Sequence, residues 1–519
     1  MEAPRGLGLG IRLGGVSTWQ SVAVVVVVYL VTLAFYRLFL HPIAHFPGPK
    51  LAAVTRYYEA YYDVVKDGQY TFKIAEMHKK YGPIVRISPY ELHVSDPTYY
   101  EKLFRHEGRW NKYWWAIDAH NAPGAIIFTA DHDRHKQHRQ PLNAYFSKAT
   151  VARRQDLIRA KVDKLCQRLA AVAGTGRVVD VGAAMSAFSG DVSTEYVLGK
   201  SADNLSRDDF GSSITHFMQG GGKMWRWTKH MRWYGPLMLS IPKDFLIKNG
   251  DEKTATFMRW AKSNEEETAR LLEVAASSDG ANSRSERTIV HEIVDSNLPP
   301  EDKTLTRVFS DVVTVTGAGF ETTASVLRLV LYHVYTNSKM LARLRAELAG
   351  VSSVPNEVVQ GLRTVEQLPY LTAVLMEGMR MSPALGTRLQ RIAPDRDLVY
   401  DGRWRIPAGT PVGMTTLFMH MDEKLYKNPR TFDPERWVDP EARKAAEKIY
   451  APFSRGSRIC LGMHLAWAEL YLSVSALVKQ FDFDFEGLTP DHLEFESDQF
   501  IIGTKGKAVL EATVTAYKS

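Results

Sequence analysis

Phe453-Ser454-Arg455-Gly456-Ser457-Arg458-Ile459-Cys460-Leu461-Gly462 stands near the carboxyl end of the chain. Helical spacing resumes from His464 through Leu470, which puts Cys460 just before a helix start. Backbone N–H groups unpaired at such a start stabilise a thiolate, the form of cysteine that binds metal. Gly456 allows a tight turn, and Gly462 leaves room for a flat macrocycle to lie close. Phe453 can shield the sulfur from water, and Arg458 can form a charge-assisted pair with an anionic group. The competing account is a structural cysteine in an Arg-containing turn. Average residue usage produces this five-residue spacing by chance in about one chain in ten thousand, which favours the ligand account.

The remainder of the 519 residues is ordinary globular material, 45% hydrophobic and 24% charged. Lys+Arg 65 against Asp+Glu 58 gives a mild excess of +7. That excess suits an anionic membrane surface or an acidic protein better than nucleic acid. With only 2 cysteines, Cys166 and Cys460, a disulfide framework is excluded and a reducing, cytosol-facing body is expected. The Asn204-Leu205-Ser206 sequon is then a chance match. Ser17 to Tyr36 carries no charge, and Val22 to Leu33 is almost wholly aliphatic. A helix of this length spans a bilayer, and the bulky Leu38-Phe39-Leu40-His41-Pro42 that follows argues against signal cleavage. Arg5 and Arg12 before the span, against Arg37, Lys50 and Arg56 after it, favour a cytosolic body. Pro42 and Pro47-Gly48-Pro49 make a stiff joint, dividing an anchor (residues 1–41) from a catalytic domain (residues 42–519).

Three hairpins are expected. They pair Val85–Ser88 with Leu92–Ser95, Val399-Tyr400 with Trp404–Ile406 around Asp401-Gly402, and Phe500–Ile502 with Ala508–Leu510 around Lys505-Gly506. Ser277–Ser285 reads as a surface loop. Most other segments have helical spacing. Ile158, Val162, Leu165, Cys166 and Leu169 form one apolar stripe, which makes Cys166 core packing, and a long helix is expected from Lys303 to Thr336 after Pro299-Pro300. The fold class is therefore mainly α with small β-sheets.

Phe-x-x-Gly-x-Arg-x-Cys-x-Gly resembles the haem-binding signature of the cytochrome P450 family, and the whole chain after the anchor is similar to that family. The style is similar to fungal microsomal members of the trichodiene oxygenase kind. The resemblance implies haem b with Cys460 as axial thiolate, a donor that pushes electron density onto iron. Glu377-Gly378-Met379-Arg380 and Arg436, in Pro434-Glu435-Arg436-Trp437, match the family's buried ionic triad. Ala318-Gly319-Phe320-Glu321-Thr322-Thr323 resembles its oxygen-activating helix segment. There Gly319 would open a groove for dioxygen while Glu321 and Thr322 conduct protons. Arg139 and His135, within Asp131–Ser147, and Arg391, in Gln390-Arg391, match further haem contacts, although the family's Pro-Arg is here Gln-Arg. Arg391 could also be a solvated surface charge.

Trp225-Arg226-Trp227-Thr228-Lys229-His230-Met231-Arg232-Trp233-Tyr234 interleaves aromatic and basic residues. In a chain with a membrane span this pattern suggests a lid dipping into lipid, with Arg and Lys snorkelling. Arg134, His135, Lys136, His138 and Arg139, with Arg443, Lys444 and Lys448, suggest docking of an acidic NADPH–cytochrome P450 reductase. The resemblance thus implies insertion of one oxygen atom from O2 into an apolar terpenoid or polyketide, at the endoplasmic reticulum membrane and facing the cytosol. A haem-thiolate isomerase or dehydratase, needing no external electrons, is the alternative; it has no use for Glu321-Thr322.

Overall fold

The structure is a computed structural model that describes residues 18–276, 287–350 and 361–517. The expected loop Ser277–Ser285, and Arg5 and Arg12, lie outside the described residues. An apolar helix occupies Thr18–Phe35 and runs on as a wider turn over Tyr36–Leu40. The most apolar 18-residue stretch of these 23 residues has mean hydropathy 2.3, and none of it is buried in the protein. At 1.5 Å per residue they rise about 35 Å, enough to cross the hydrocarbon of a bilayer. The body grips the chain before the prolines do: Arg37 donates to Val54 O at 2.6 Å, and Arg86 donates to Arg37 O at 2.7 Å. The joint itself is docked. Arg86 N donates to Pro47 O at 2.7 Å, and a Cβ at Gly48 would lie 2.3 Å from Arg86 O.

The expected long helix spans Leu305–Tyr335, entered through a single turn at Pro300–Lys303. Its main neighbour is the helix Val181–Leu198, buried along almost its whole length. The two approach closely because each places a glycine at the contact. A Cβ at Gly190 would lie 2.1 Å from Phe320, and a Cβ at Gly319 would lie 2.6 Å from Ser193 Cβ. Gly319, the position expected to open a groove for dioxygen, thus also lies in a close helix contact. We predict that Gly319→Ala destabilises the fold by about 1–3 kcal/mol through overpacking. Ser193→Gly in the same chain should recover much of that loss in a thermal melt; no recovery would refute the contact.

Helix Gln155–Ala170 buries its expected stripe, Cys166 included. Burial pushes the Cys166 thiol up to about 12, which suits an inert core residue. Helix Met463–Gln480 crosses below, against both this helix and the long one.

The sheets are small. Ile84–Arg86 and Leu92–Val94 form the expected hairpin, one residue earlier than its pattern suggested, and join Val412–Met414 and Leu389–Arg391 in a four-stranded sheet. Leu398–Tyr400 pairs with Trp404–Ile406 as expected, with Asp401 and Gly402 both left-handed at φ +53° and +62°. The third expected pairing is wrong. Ile501–Thr504 pairs with Phe495–Gln499 across a turn at Phe500, whose φ is +70°. Ala508–Leu510 lies in no strand, and the last strand, Glu511–Ala516, sits between Val178–Asp180 and Phe481–Asp484. A left-handed Phe500 ends a strand rather than starting one, and the true partner, Phe495-Glu496-Ser497-Asp498-Gln499, is too polar to display an apolar alternation.

Candidate functional site

The cysteine loop is shaped by its own backbone. Cys460 N donates to Phe453 O at 2.9 Å, closing a loop that turns through a short helical stretch at Gly456–Arg458. Gly456 has φ +73°, and a Cβ there would sit 2.5 Å from Arg105 O, so conformation and close approach both require glycine. The helix Met463–Gln480 starts just after Gly462. A Cβ at Gly462 would meet nothing within 4 Å, consistent with room kept beside the sulfur. Phe453 leans toward Trp467, ring centroids 6.4 Å apart. The Cys460 side chain stands open rather than packed. The protein around it still pushes the thiol up, against the Gly462 N–H and the Arg139 guanidinium, which favour the thiolate.

Around this loop the cationic side chains crowd together. Arg458 is buried, donating to Thr129 O (2.7 Å), Ala130 O (2.8 Å) and Asp131 O (3.0 Å), while its Nε has no partner. Arg391 is buried rather than solvated; it donates to its neighbour's carbonyl, Gln390 O, and lies over the Phe104 ring at 4.5 Å. Arg139 donates to Ile459 O at 2.5 Å. His135 is buried on the helix His132–Tyr145. Lys112, which carries no signal in the sequence beyond being one more lysine, donates to Ile127 O at 2.6 Å. Burial and mutual repulsion act on these groups together. Arg458 is pushed down to about 9 by burial and then by Arg391 and Arg139. Lys112 falls well below its usual range through burial and all three arginines. Burial, Arg458, Lys112 and Arg139 keep His135 neutral. A charge excess of this kind calls for anions, and the two propionates of haem b would answer it. The residues present fit that group.

The triad is assembled as expected. Arg380 binds Glu377 with two bonds of 2.8 Å, and Arg436 Nε reaches Glu377 Oε1 at 3.2 Å. Two further donors were not foreseen: Trp437 Nε1 at 2.9 Å and Asp433 N, also at 2.9 Å. Arg380 NH1 also donates to His420 O at 2.7 Å, tying the helix Pro369–Met381 to the segment leading to the cysteine loop.

On the long helix, Thr322 Oγ1 donates to Ala318 O at 2.8 Å, the back-bond that loosens a helix locally. Glu321 is buried in a network. Arg328 NH2 lies 2.7 Å from Oε2, Ser186 Oγ donates to Oε1 at 2.6 Å, and Gln219 Nε2 reaches Oε2 at 3.3 Å from the helix above, Ser212–His230. Consecutive helical positions do not face each other, so Glu321 points away from Thr322.

The expected snorkelling lid is corrected. Arg226 and Lys229 point inward and are buried. Lys229 Nζ lies 2.8 Å from Glu59 and 2.5 Å from Asp63; Arg226 pairs with Asp67; Arg388 bridges Glu59 (2.8 Å) and Glu91 (2.6 Å). The buried carboxylates Glu59, Asp63 and Glu91 demand Lys229 and Arg388, whereas Asp67, the partner of Arg226, is exposed. Glu59, Asp63 and His230 lie near enough to hold a metal ion, and the Lys229 ammonium fills that role. What remains exposed is apolar: Trp227, Trp233, Leu237, Leu239 and Phe245. The expected reductase face is thinned likewise, since His135 and His138 are buried while Arg134, Lys136, Lys444 and Lys448 stay exposed.

These burials set an acid limit. Against burial, Arg388 and Lys229 hold Glu59, and Lys229 and His230 hold Asp63, below the usual carboxylate range. Their stabilisation is present above the unfolded values and lost as pH falls through the folded ones. Burial pushes His420 and His120 down to about 3 and His333 to about 4. The unfolded chain then binds more protons from about pH 6.5 downward, and stability falls in the same direction. The melting temperature should decline steadily from pH 7 to pH 4; a plateau across that interval would contradict it.

A cytochrome P450 family model matches residues 60–510. The chain is 37% identical over 467 residues, 88% of its length and 90% of the relative's, to cytochrome P450 monooxygenase MO6277 of Ascocoryne sarcoides. It is 36% identical over 484 residues (92% and 93%) to tryptophan 6-hydroxylase fscE of Fusarium equiseti. It is also 36% identical over 467 residues (89% and 91%) to conidiogenone synthase PchP450 of Penicillium rubens. With the cysteine loop, the ionic triad and the long helix in place, and matched across nearly its whole body, the chain belongs to the cytochrome P450 monooxygenase family.

Proposed function

We propose that this chain is a membrane-anchored haem-thiolate monooxygenase that inserts one oxygen atom from O2 into an apolar terpenoid or polyketide of fungal secondary metabolism. The observation that carries the reading is the open Cys460 side chain on a capped loop, flanked by Lys112, Arg139, Arg391 and Arg458. Bound haem b supplies the redox-active iron at which dioxygen is reduced. Cys460 would give the sulfur ligand, the Gly462 N–H would support it, and Phe453 would screen it from water. Lys112, Arg139, Arg391 and Arg458, with His135, would hold the propionates. Thr322 would hold a proton donor at its Oγ1. Glu321 restocks it by turning from Arg328 and Ser186 toward Thr322. Electrons come from an NADPH–cytochrome P450 reductase docking on exposed lysines such as Lys136, Lys444 and Lys448. The Thr18–Leu40 span and the exposed aromatics near Trp233 seat the enzyme on the endoplasmic reticulum, where an apolar substrate partitions.

Expression with a reductase and feeding of terpenoid and polyketide skeletons should give NADPH-dependent products one oxygen atom heavier. Turnover without NADPH would replace this reading with the isomerase. Thr322→Ala should keep consuming NADPH while hydroxylated product per NADPH falls roughly 10–100-fold. An unchanged yield would remove Thr322 from the proton path.

A further inference from the structure

A cleft of about 300 Å³ opens beside the cysteine loop, where three helical segments meet. Helix Met463–Gln480, which starts directly after Gly462, supplies one wall with Met463, His464 and Trp467. The other walls are the short helix Lys148–Arg153 and the turn Leu362–Val365, which ends at Glu366. Leu362 N donates to Gln155 Oε1 at 2.8 Å, which ties that turn to the helical body. The volume lies at the lower end of small-ligand sites, which span roughly 300–1,000 Å³. Nothing in the monooxygenase reading uses this space.

Its chemistry divides into an aromatic side and a charged rim. Tyr471 is buried, shares a 2.9 Å hydrogen bond with Thr372 Oγ1 and stacks on Trp467 at 5.3 Å and 23°. Trp467 is only half-buried, so a flat ring entering the cleft can continue that stack. Val151 and Leu362, both buried, complete the apolar lining. At the rim, Lys148 Nζ pairs with Glu366 Oε2 at 3.0 Å. The two partners are unequal. The Glu366 side chain is 18% exposed, that of Lys148 65%. A carboxylate so largely withdrawn from water needs a cation, whereas an exposed lysine gives up little by returning to solvent. Exchange therefore favours a ligand that brings its own positive charge. It disfavours an anion, which would draw Lys148 away and face the carboxylate. His464 brings no competing charge: burial, and then Lys148, hold its imidazole below the usual range, neutral near pH 7.

We propose that this cleft is a binding site for a small aromatic amine, its ring stacked on Trp467 and its ammonium donating to Glu366 in place of Lys148. Trp467 also meets Phe453, ring centroids 6.4 Å apart, and Phe453 O accepts from Cys460 N at 2.9 Å. An occupant stacked on Trp467 is thus one ring removed from the residue that screens Cys460.

The test uses purified full-length holoenzyme with 2-(1-naphthyl)ethylamine, and 1-ethylnaphthalene as its uncharged counterpart, followed by equilibrium dialysis at neutral pH. Glu366→Gln should lower the amine's affinity about tenfold, the weight of one charge-assisted bond, and leave the hydrocarbon within about twofold. Lys148→Met removes the resident ammonium and should raise the amine's affinity about threefold, a gain that damage to the fold cannot produce. Amine affinity that moves less than twofold in Glu366→Gln, or falls in Lys148→Met, overturns the proposal. So does a Soret band that shifts in step with amine binding, because nitrogen on the iron would then be the site. The carbon-monoxide spectrum of the same samples bears on Cys460 alone, so failure of the cleft and failure of the monooxygenase reading are told apart.

Discussion

Replacing Cys460 with serine should abolish the red-shifted Soret band of the reduced, carbon-monoxide-treated protein and take product formation below detection. The expectation rests on one atom. The sulfur is the only soft donor in the loop, and an alcohol at the same place neither ionises near neutral pH nor donates comparable electron density to iron. The structure adds a control. Because the Cys460 side chain is open rather than packed, its exchange for serine removes no core contact. The backbone bond from residue 460 N to Phe453 O is kept in the variant. Haem-free wild type and Cys460→Ser should therefore melt within about 0.5 kcal/mol of each other, the usual range for a change that disturbs no packing. Spectrum and turnover should collapse while the apoprotein survives. A variant that still shows the red-shifted band would mean that another residue ligates the iron.

The second large effect is on the fold. Glu377→Ala should cost about 3–5 kcal/mol, the range for breaking a buried ion pair from one side. Glu377 accepts five bonds: two from Arg380 and one each from Arg436, Trp437 and Asp433 N. The Arg380 side chain has no exposure, so removing the carboxylate leaves its charge unpaired in the interior. Arg436 reaches Glu377 with one longer bond and keeps 10% of its side chain exposed, so Arg436→Ala should cost clearly less. Chemical denaturation of the two variants checks the order. Haem retention should follow it, because Arg380 also holds His420 O and His420 Nε2 accepts from Ala451 N, just before the cysteine loop. Equal losses for the two variants would show that the triad shares its load evenly rather than centring on Glu377.

Legibility in the sequence followed the range of the interaction. The Cys460 loop and the Asp401-Gly402 hairpin were readable because neighbours within a few residues determine each of them, whereas the Glu377–Arg380 pair was readable only through the family resemblance that set it with Arg436. The long helix and the stripe containing Cys166 were readable because their period shows on one strand of text. The third hairpin was misassigned because its partner strand lacks an apolar alternation, and Phe500 was read as extended where the loop at Ala384–Gly386 holds it left-handed.

By itself the sequence marked Cys460 as the candidate ligand and determined the membrane-length helix and the largely helical body, all of which depend on short-range spacing, capping and hydrophobic period. Tertiary structure alone decided where the charges point. Lys229 and Arg226 turn inward because Glu59, Asp63 and Asp67, some 160 residues earlier in the chain, meet them there. Gly319 serves helix packing because Ser193 faces it, and Lys112 joins the cationic cluster because folding places it beside Arg458 and Arg391. A side chain's direction in a buried network is set by the partner that cancels its desolvation cost, and that partner is chosen by the fold rather than by the neighbours in the chain.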